Sequence, residues 1–280
     1  MVTESVFRTD KGRMAVQNRC SRILEFWPVP NERRMVETSR GATHVIISGD
    51  ESQPPLLLLH GTSSNSASWI GDVETWSRHF RVIAADMPGE PGLSCDLRLS
   101  PSGSDYVKWL ESLLDVLGID NISIVGMSLG AFVALKLATD RPGRVIKLSM
   151  LTTSGVTPMK ISYLFKALPL MILGKWGARR NYGMISHGLP MAEEVFEFGR
   201  LVSKHCKPLL EPIPLFSDQE LGRLTMPVQY FGGDKDALFD SKAAAKRVRE
   251  LVPHAEINLL EGTGHVIIGK ADEILTFLLK

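Results

Sequence analysis

The sequence predicts an α/β protein in which a mostly parallel sheet carries helices on both faces and one helical segment is inserted late in the chain. Solidly apolar runs such as PLLLL (55–59) and ISIVG (122–126) are typical of strands buried on both faces of a parallel sheet. Segments with helical spacing of apolar residues separate these runs, so strands and helices alternate. The alternation stops between about Gly155 and Leu224, over a stretch too long for a loop in a compact domain.

The first part of the chain predicts a helix followed by a β-hairpin. Residues 9–26 have amphipathic helical spacing, which ends at the prolines of WPVP. The runs RMVETS and THVIISG then predict two strands, and Gly41 between them is a hairpin signal.

The alternating region predicts six further strands and four helices. The strands are predicted at PLLLLHG, FRVIAADMPG, NISIVG, RVIKLSMLTTSG, MPVQYFGG and AEINLLEG. The helices are predicted at SDYVKWLESLLDVLGI, LGAFVALKLATD, SKAAAKRVRELV and ADEILTFLLK. In the first of these helices, Val107, Leu110, Leu114 and Leu117 recur at helical spacing.

The chain is therefore divided into three parts. Residues 1–154 hold the N-terminal helix and the first part of the sheet domain, and residues 225–280 hold its second part. Residues 155–224, the cap segment, are rich in Met, Pro, Leu and aromatic residues and contain helical patches such as AEEVFEFGRLVSKH. We expect them to form an inserted helical cap.

The composition argues against several classes of partner. The 280 residues include 32 basic and 31 acidic residues, so no field of one sign favours nucleic acid or an anionic membrane. Cys20, Cys95 and Cys206 lie far apart without C-x-x-C spacing, against a disulfide framework or a thiolate zinc site. The N-terminus lacks the apolar core of a secretory signal, and ALPLMILGKW is too short to span a bilayer. We expect a cytoplasmic protein, monomer or homodimer, with no nucleic-acid or membrane partner.

Polar residues follow several predicted strands at the point where each strand ends. They are His60, Ser128, Asp234, Asp236 and His265. In an open parallel sheet the carboxyl ends of the strands share one edge, where ligands bind. These side chains are therefore candidates for one site.

Ser128 lies between Gly126 and Gly130 at a predicted strand-to-helix join, which allows two interpretations. It is a nucleophile on a tight elbow, or it is an ordinary serine at the start of a helix. A serine nucleophile needs a base within hydrogen-bond reach, and the base needs an orienting group. His265 offers an imidazole, whose pKa range suits proton transfer, at the end of a late strand.

Five segments carry a resemblance to a known family: LLLLHGTSSNSASW, VIAADMPGEPGLS, IVGMSLGAFVALKLA, GGDKDALF and GTGH. In this order the chain resembles the α/β-hydrolase superfamily, in particular its soluble bacterial carboxylesterase-like members. The resemblance implies a mostly parallel, eight-stranded sheet flanked by helices, with an inserted helical cap. It implies a triad of Ser128, Asp236 and His265, with Asp234 as the alternative acid.

The resemblance also implies an oxyanion hole made of the backbone N–H groups of Leu129 and Thr62. His60 is expected to organise the oxyanion loop by hydrogen bonding rather than to transfer protons. One segment departs from the family pattern, because DMPGEPGLS carries an extra residue near Glu90 compared with D-x-P-G-x-G-x-S.

The predicted function is that of a serine hydrolase that cleaves small-molecule carboxylic esters through an acyl-enzyme, with no metal and no cofactor. The enzymatic alternatives are cleavage of a C–C bond next to a ketone, lactone or thioester hydrolysis, and cofactor-free perhydrolysis. An inactive small-molecule receptor on the same fold is the alternative of another class. Four cap-segment side chains are interpreted either as core or as an apolar substrate pocket: Met159, Met171, Trp176 and Phe196.

Overall fold

The structure is a computed structural model that describes residues 5–280, and one eight-stranded sheet lies at its centre. The strands are β1 Asn31–Thr38, β2 Gly41–Ser48, β3 Pro55–Leu59, β4 Arg81–Ala85, β5 Ile122–Met127, β6 Val145–Leu151, β7 Val228–Gly233 and β8 Glu256–Leu260. Their spatial order is β1-β2-β4-β3-β5-β6-β7-β8. The β1–β2 and β2–β4 pairs are antiparallel and the other five pairs are parallel. The predicted hairpin and the predicted mostly parallel sheet are confirmed.

Helices cover both faces of the sheet. They are α1 Asp10–Leu24, α2 Val73–Ser77, α3 Asp105–Val116, α4 Leu129–Asp140, α5 Ile161–Leu170, α6 Gly174–Ser186, α7 Glu193–His205, α8 Asp218–Leu221, α9 Ser241–Leu251 and α10 Ala271–Leu279. Short 3-10 turns lie at Ser66–Trp69 and Pro142–Arg144. Within the described part of the chain, no helix is both long enough and apolar enough to cross a membrane.

The apolar core consists of two layers, one on each face of the sheet. Leu57 and Leu59 of β3 join the layer that contains side chains of α3, α4 and α9. Leu56 and Leu58 join the opposite layer, which contains side chains of α1, α2 and α10. Successive residues of a strand point to opposite faces, so a solidly apolar strand needs cover on both sides. The run PLLLL is apolar throughout for this reason.

The cap segment lies between β6 and β7 and contributes α5 to α8. Helix α1 packs against α7, and the side chains of Val16 and Val202 share a small apolar cluster there. The backbone N–H of His265 donates to the carbonyl of Ile185 in α6, 2.8 Å away. The cap segment therefore contacts both the N-terminal helix and the loop after β8. The first four residues of the predicted 1–154 part lie outside the described residues.

Candidate active site

Ser128 occupies a strained turn between β5 and α4. Its φ of 52° and ψ of −110° lie in a region that side chains with a Cβ rarely adopt. Its N–H donates to the carbonyl of Leu151 at 2.9 Å, and its carbonyl accepts from the N–H of Phe132 at 3.0 Å. Hydrogen bonds to β6 and to the first turn of α4 thus hold the serine backbone in this conformation.

The two glycines around Ser128 are required by close backbone contacts. A Cβ at Gly130 would lie 2.2 Å from the carbonyl oxygen of Leu59. A Cβ at Gly126 would lie 2.7 Å from the backbone of Ala131. Helix α4 therefore approaches β3 and β5 so closely that only glycine fits at these positions.

Asp236 and His265 form a buried, hydrogen-bonded pair between the loops after β7 and β8. Oδ2 of Asp236 lies 2.9 Å from Nδ1 of His265, and the two residues are 3% and 7% exposed. Oδ1 of Asp236 accepts from the N–H groups of Leu238 at 2.7 Å and Phe239 at 3.2 Å. The carboxylate of Asp234 instead lies 3.3 Å from Nζ of Lys235. The carboxylate that orients His265 is thus that of Asp236.

The loop after β6 connects the serine backbone to the histidine backbone. The N–H of Ser154 donates to the carbonyl of Ser128 at 3.3 Å, and Oγ1 of Thr152 donates to the carbonyl of His265 at 3.0 Å. The sequence analysis assigned no role in the site to this TTSG run at residues 152–155. Its three hydroxyl residues at a buried strand end were the available signal for a positioning role.

The loop after β3 faces Ser128, and His60 fixes its conformation. Nε2 of His60 accepts from the N–H of Met87 at 2.9 Å, so Nδ1 carries the proton and donates to the carbonyl of Gly61 at 2.8 Å. Complete burial lowers the pKa of His60, which keeps the ring neutral. The expected organising role of His60 agrees with these contacts. A Cβ built on Gly61 would lie 3.5 Å from Cβ of Ser128, which places this loop beside the serine.

The two residues predicted to form the oxyanion hole directly follow the two residues of this contact in the sequence. Thr62 follows Gly61 and is exposed at the edge of the sheet. Leu129 is the first residue of α4, where an N–H group has no partner within the helix. The positive end of the α4 dipole lies at the same point and favours negative charge.

Asp86, at the end of β4, connects the loop after β3 to the loop after β4. Its carboxylate is buried and accepts from the N–H groups of Ser66 at 2.7 Å and Leu93 at 2.8 Å. Burial alone would raise its pKa, but the hydrogen bond with His44 and the Leu93 N–H help to outweigh burial and lower the pKa to about 2. Asp86 is therefore a permanent anion that positions backbone amides, a role that the sequence analysis did not assign.

The backbone of one of the four cap-segment residues pairs with the loop after β7. Met159 forms an antiparallel bridge with Phe239, whose ring centroid is 5.5 Å from that of His265. Phe196 is buried, and the guanidinium of Arg179 lies 4.2 Å from its ring centroid.

The remaining two side chains lie on the surface of the cap segment. Met171 and Trp176 are 74% and 63% exposed, so neither belongs to a core. Their placement, like that of Phe196, gives the predicted pocket role no support. Within residues 5–280, no group of three or more His, Cys, Asp or Glu side chains is arranged to hold a metal ion.

The family model described as "Alpha/beta hydrolase family" matches residues 56–276. The chain is 29% identical to "Uncharacterized carboxylesterase nap" of Bacillus subtilis, over 87% of this chain and 84% of that relative. It is 27% identical to "Carboxylesterase YbfK" of the same organism, over 87% and 85%. The solved structure of a naproxen esterase from Bacillus subtilis superposes with a TM-score of 0.86 at 25% identity, covering 97% of this chain and 99% of the other. With the family model matching most of its length, this chain belongs to the α/β-hydrolase family.

Proposed function

We propose that this protein is a serine hydrolase that cleaves carboxylic esters of small molecules through an acyl-enzyme intermediate. The observation that carries the proposal is the buried pair of Asp236 and His265 at the sheet edge where the strained elbow presents Ser128. A nucleophile, a base and an orienting carboxylate are the three groups that such chemistry needs.

In this mechanism Oγ of Ser128 attacks the ester carbonyl while Nε2 of His265 takes the hydroxyl proton. Asp236 accepts the hydrogen bond from Nδ1, which fixes the tautomer and stabilises the imidazolium. The tetrahedral intermediate collapses, and His265 returns the proton to the leaving alcohol. Water, activated by His265, then attacks the acyl-enzyme and releases the carboxylic acid.

The negative charge of the tetrahedral intermediate is bound by backbone N–H groups. Leu129 supplies one from the first turn of α4, and Thr62 supplies the other from the loop after β3. Leu129 is held by the first turn of α4, and the peptide group of the Thr62 N–H is held through the Gly61 carbonyl by His60, so little reorganisation accompanies the reaction.

The identities of the relatives favour ester substrates over the other enzymatic alternatives. Two curated relatives that align over 87% of this chain are named carboxylesterases, and a structural neighbour at 25% identity is a naproxen esterase. These names support ester cleavage rather than C–C, lactone or thioester cleavage or perhydrolysis. A receptor without activity would not need a nucleophile, base and acid held together.

Residues 155–224 are proposed to act as a cap over this site. Nζ of Lys160 donates to the carbonyl of Asp236 at 2.7 Å, and the N–H of His265 donates to Ile185. Met159 is proposed as a residue of the substrate pocket, because its backbone pairs with Phe239, whose ring lies against His265. A cytoplasmic location and the choice between monomer and homodimer stay predictions from the sequence.

Hydrolysis of p-nitrophenyl esters from acetate to decanoate tests the proposal. We expect the wild type to hydrolyse members of this series, and Ser128→Ala to lose at least about a thousandfold in kcat/KM. Ser123→Ala, earlier on the same strand, is the control and should keep wild-type activity. Ester hydrolysis by Ser128→Ala at the wild-type rate would contradict the assignment.

A serine-directed fluorophosphonate separates an active site from a receptor. The reagent should label wild type at Ser128 in stoichiometric amount and leave Ser128→Ala unlabelled. An absence of labelling in wild type, together with an absence of ester turnover, would favour the receptor.

A further inference from the structure

Glu90 is a buried acid that the proposed mechanism does not use. It lies in the loop after β4, where the sequence departs from the family pattern, and the residue is 2% exposed. Its Oε2 accepts from the backbone N–H of Ser63 at 2.6 Å. Its Oε1 is buried and has no hydrogen-bond partner among the described residues. A half-satisfied buried carboxyl costs stability, which calls for an explanation other than folding.

The hydrogen-bond partner of Glu90 is next to a proposed oxyanion donor. The N–H of Ser63 belongs to the peptide group that directly follows Thr62. Ser63 has a φ of 59°, a left-handed conformation that a serine does not adopt without support. The peptide group that precedes Thr62 is held on its carbonyl side, because Nδ1 of His60 donates to Gly61. The N–H of Thr62 thus belongs to one anchored peptide group, and the peptide group that follows it is anchored by Glu90.

We infer that Glu90 is a positioning residue: its carboxyl oxygen holds the Ser63 amide and thereby directs the N–H of Thr62 toward the oxyanion of the tetrahedral intermediate. The inference rests on the proposed ester hydrolysis. Because an oxyanion donor acts in the transition state, Glu90 contributes to kcat and has little effect on KM.

Other contacts hold the same two loops together, so the role of Glu90 is separable from folding. Nδ2 of Asn65 donates to the carbonyl of Pro91 at 2.9 Å, and the N–H of Ser66 donates to Asp86. These bonds remain when Glu90 is replaced. The loop then stays attached at residues 65 and 66, while the Ser63 amide, next to the Thr62 peptide group, loses the restraint that Glu90 supplies.

The surroundings of Glu90 let its protonation state change near neutral pH. Burial raises its pKa to about 7, which exceeds the opposing effects of the Ser63 amide and the Arg98 guanidinium. Arg98 donates to the carbonyls of Gly89, Lys207 and Pro208, and Tyr106 of α3 and Cys206 after α7 are the neighbouring titratable groups. An ionised carboxylate accepts a stronger hydrogen bond than a neutral carboxyl. The restraint on the Ser63 amide therefore strengthens as pH rises through 7.

Two substitutions at Glu90 test the inference on a p-nitrophenyl ester. Glu90→Ala removes the acceptor, and we expect kcat to fall about 10- to 100-fold with KM within about twofold of wild type. Glu90→Gln keeps an acceptor that does not titrate, so kcat should stay within about threefold at pH 6. The ratio of wild-type to Glu90→Gln kcat should then rise roughly three- to tenfold from pH 6 to pH 8.5. Any pH effect that the two proteins share cancels in this ratio.

The controls separate this inference from the proposed function. Glu51→Ala, at an exposed glutamate before β3, should match wild type. Thermal melts establish that Glu90→Ala is folded, and if it is not, the pH dependence of the Glu90→Gln ratio decides. Wild-type kcat in folded Glu90→Ala, or a ratio that is flat with pH, would overturn the inference while ester hydrolysis stands. If wild type hydrolyses no ester, the rate of phosphonate labelling at Ser128 replaces kcat, and the same pattern is expected.

Discussion

The sheet edge and the cap segment differ in how deeply their side chains are buried and in how they are held. At the sheet edge, His60, Asp86, Asp236 and His265 are buried, and each accepts or donates hydrogen bonds in a fixed geometry. In the cap segment, α5 has no buried residue. Its apolar side chains are exposed, with Ile161 at 68% and Phe165 at 73%.

The difference follows from how each region is held. Pairing with neighbouring strands fixes the ends of β3, β5, β6, β7 and β8. The positions of the residues that follow these ends are therefore set by the sheet. The cap segment instead touches the site at a few points, which include the Met159–Phe239 bridge and the Ile185–His265 hydrogen bond. The residues proposed for catalysis therefore lie in the region that the sheet fixes, and the cap segment contacts that region at a few points.

The largest expected effect on activity comes from the carboxylate that contacts His265 at the sheet edge. Asp236→Asn removes the anion that orients His265, and we expect kcat/KM to fall by about 10³- to 10⁴-fold. Asp234→Asn is the matched control, because the carboxylate of Asp234 pairs with Lys235 rather than with the histidine. It should lose less than about threefold. Steady-state kinetics on one ester compares the two variants. Equal losses in kcat/KM would contradict the assignment of Asp236 as the carboxylate that orients His265.

An intermediate effect concerns stability at the same edge. The pKa of Glu90 is about 7 in the folded protein against an ordinary 4.5, so the folded state keeps a proton that the unfolded state has lost. The free energy of unfolding of the wild type should therefore fall as pH rises from about 4.5 to about 7, by roughly 3 kcal/mol from this group. Below pH 4.5 and above pH 7 this contribution is constant.

Glu90→Gln does not titrate and should lack this pH dependence. Urea unfolding at pH 5 and pH 8 measures this dependence. The free energy of unfolding of Glu90→Gln relative to wild type should increase by roughly 2.5 kcal/mol between these two pH values. Parallel pH profiles for the two proteins would show that Glu90 has an ordinary pKa in the folded state.

The same two regions show what sequence reasoning can and cannot reach. Strand position made Ser128, His265 and two aspartates candidates for one site, because the carboxyl ends of parallel strands meet at one edge. The choice of Asp236 over Asp234 came from the resemblance to the family. The contact of Glu90 with Ser63 was not predicted, because it joins two loops 27 residues apart and no local pattern encodes it. The geometry of the loop near Glu90 depends on backbone packing, such as the left-handed Gly89 against Arg98.

The side chains of the cap segment were the least predictable. Ile161, Leu164, Phe165 and Leu168 have the helical spacing that normally marks a buried face, and in the structure all four are exposed. Helical spacing shows that an apolar stripe exists, but it does not show which way the stripe points. The interpretation of Met171 and Trp176 as core or pocket residues lost its support for the same reason.

The smallest expected effect tests whether the outer face of α5 matters to folding. Phe165 is 73% exposed, so Phe165→Ala should change the free energy of unfolding by less than about 0.5 kcal/mol. Phe196 is 3% exposed beneath Arg179, and Phe196→Ala should cost about 3 kcal/mol, although both residues lie in cap helices. Urea unfolding of both variants makes the comparison, with hydrolysis of p-nitrophenyl acetate by Phe165→Ala expected within about twofold of wild type. A cost for Phe165→Ala close to that of Phe196→Ala would mean that α5 packs its apolar face inward in solution, and the contrast between a rigid sheet edge and a loosely held cap would then fail.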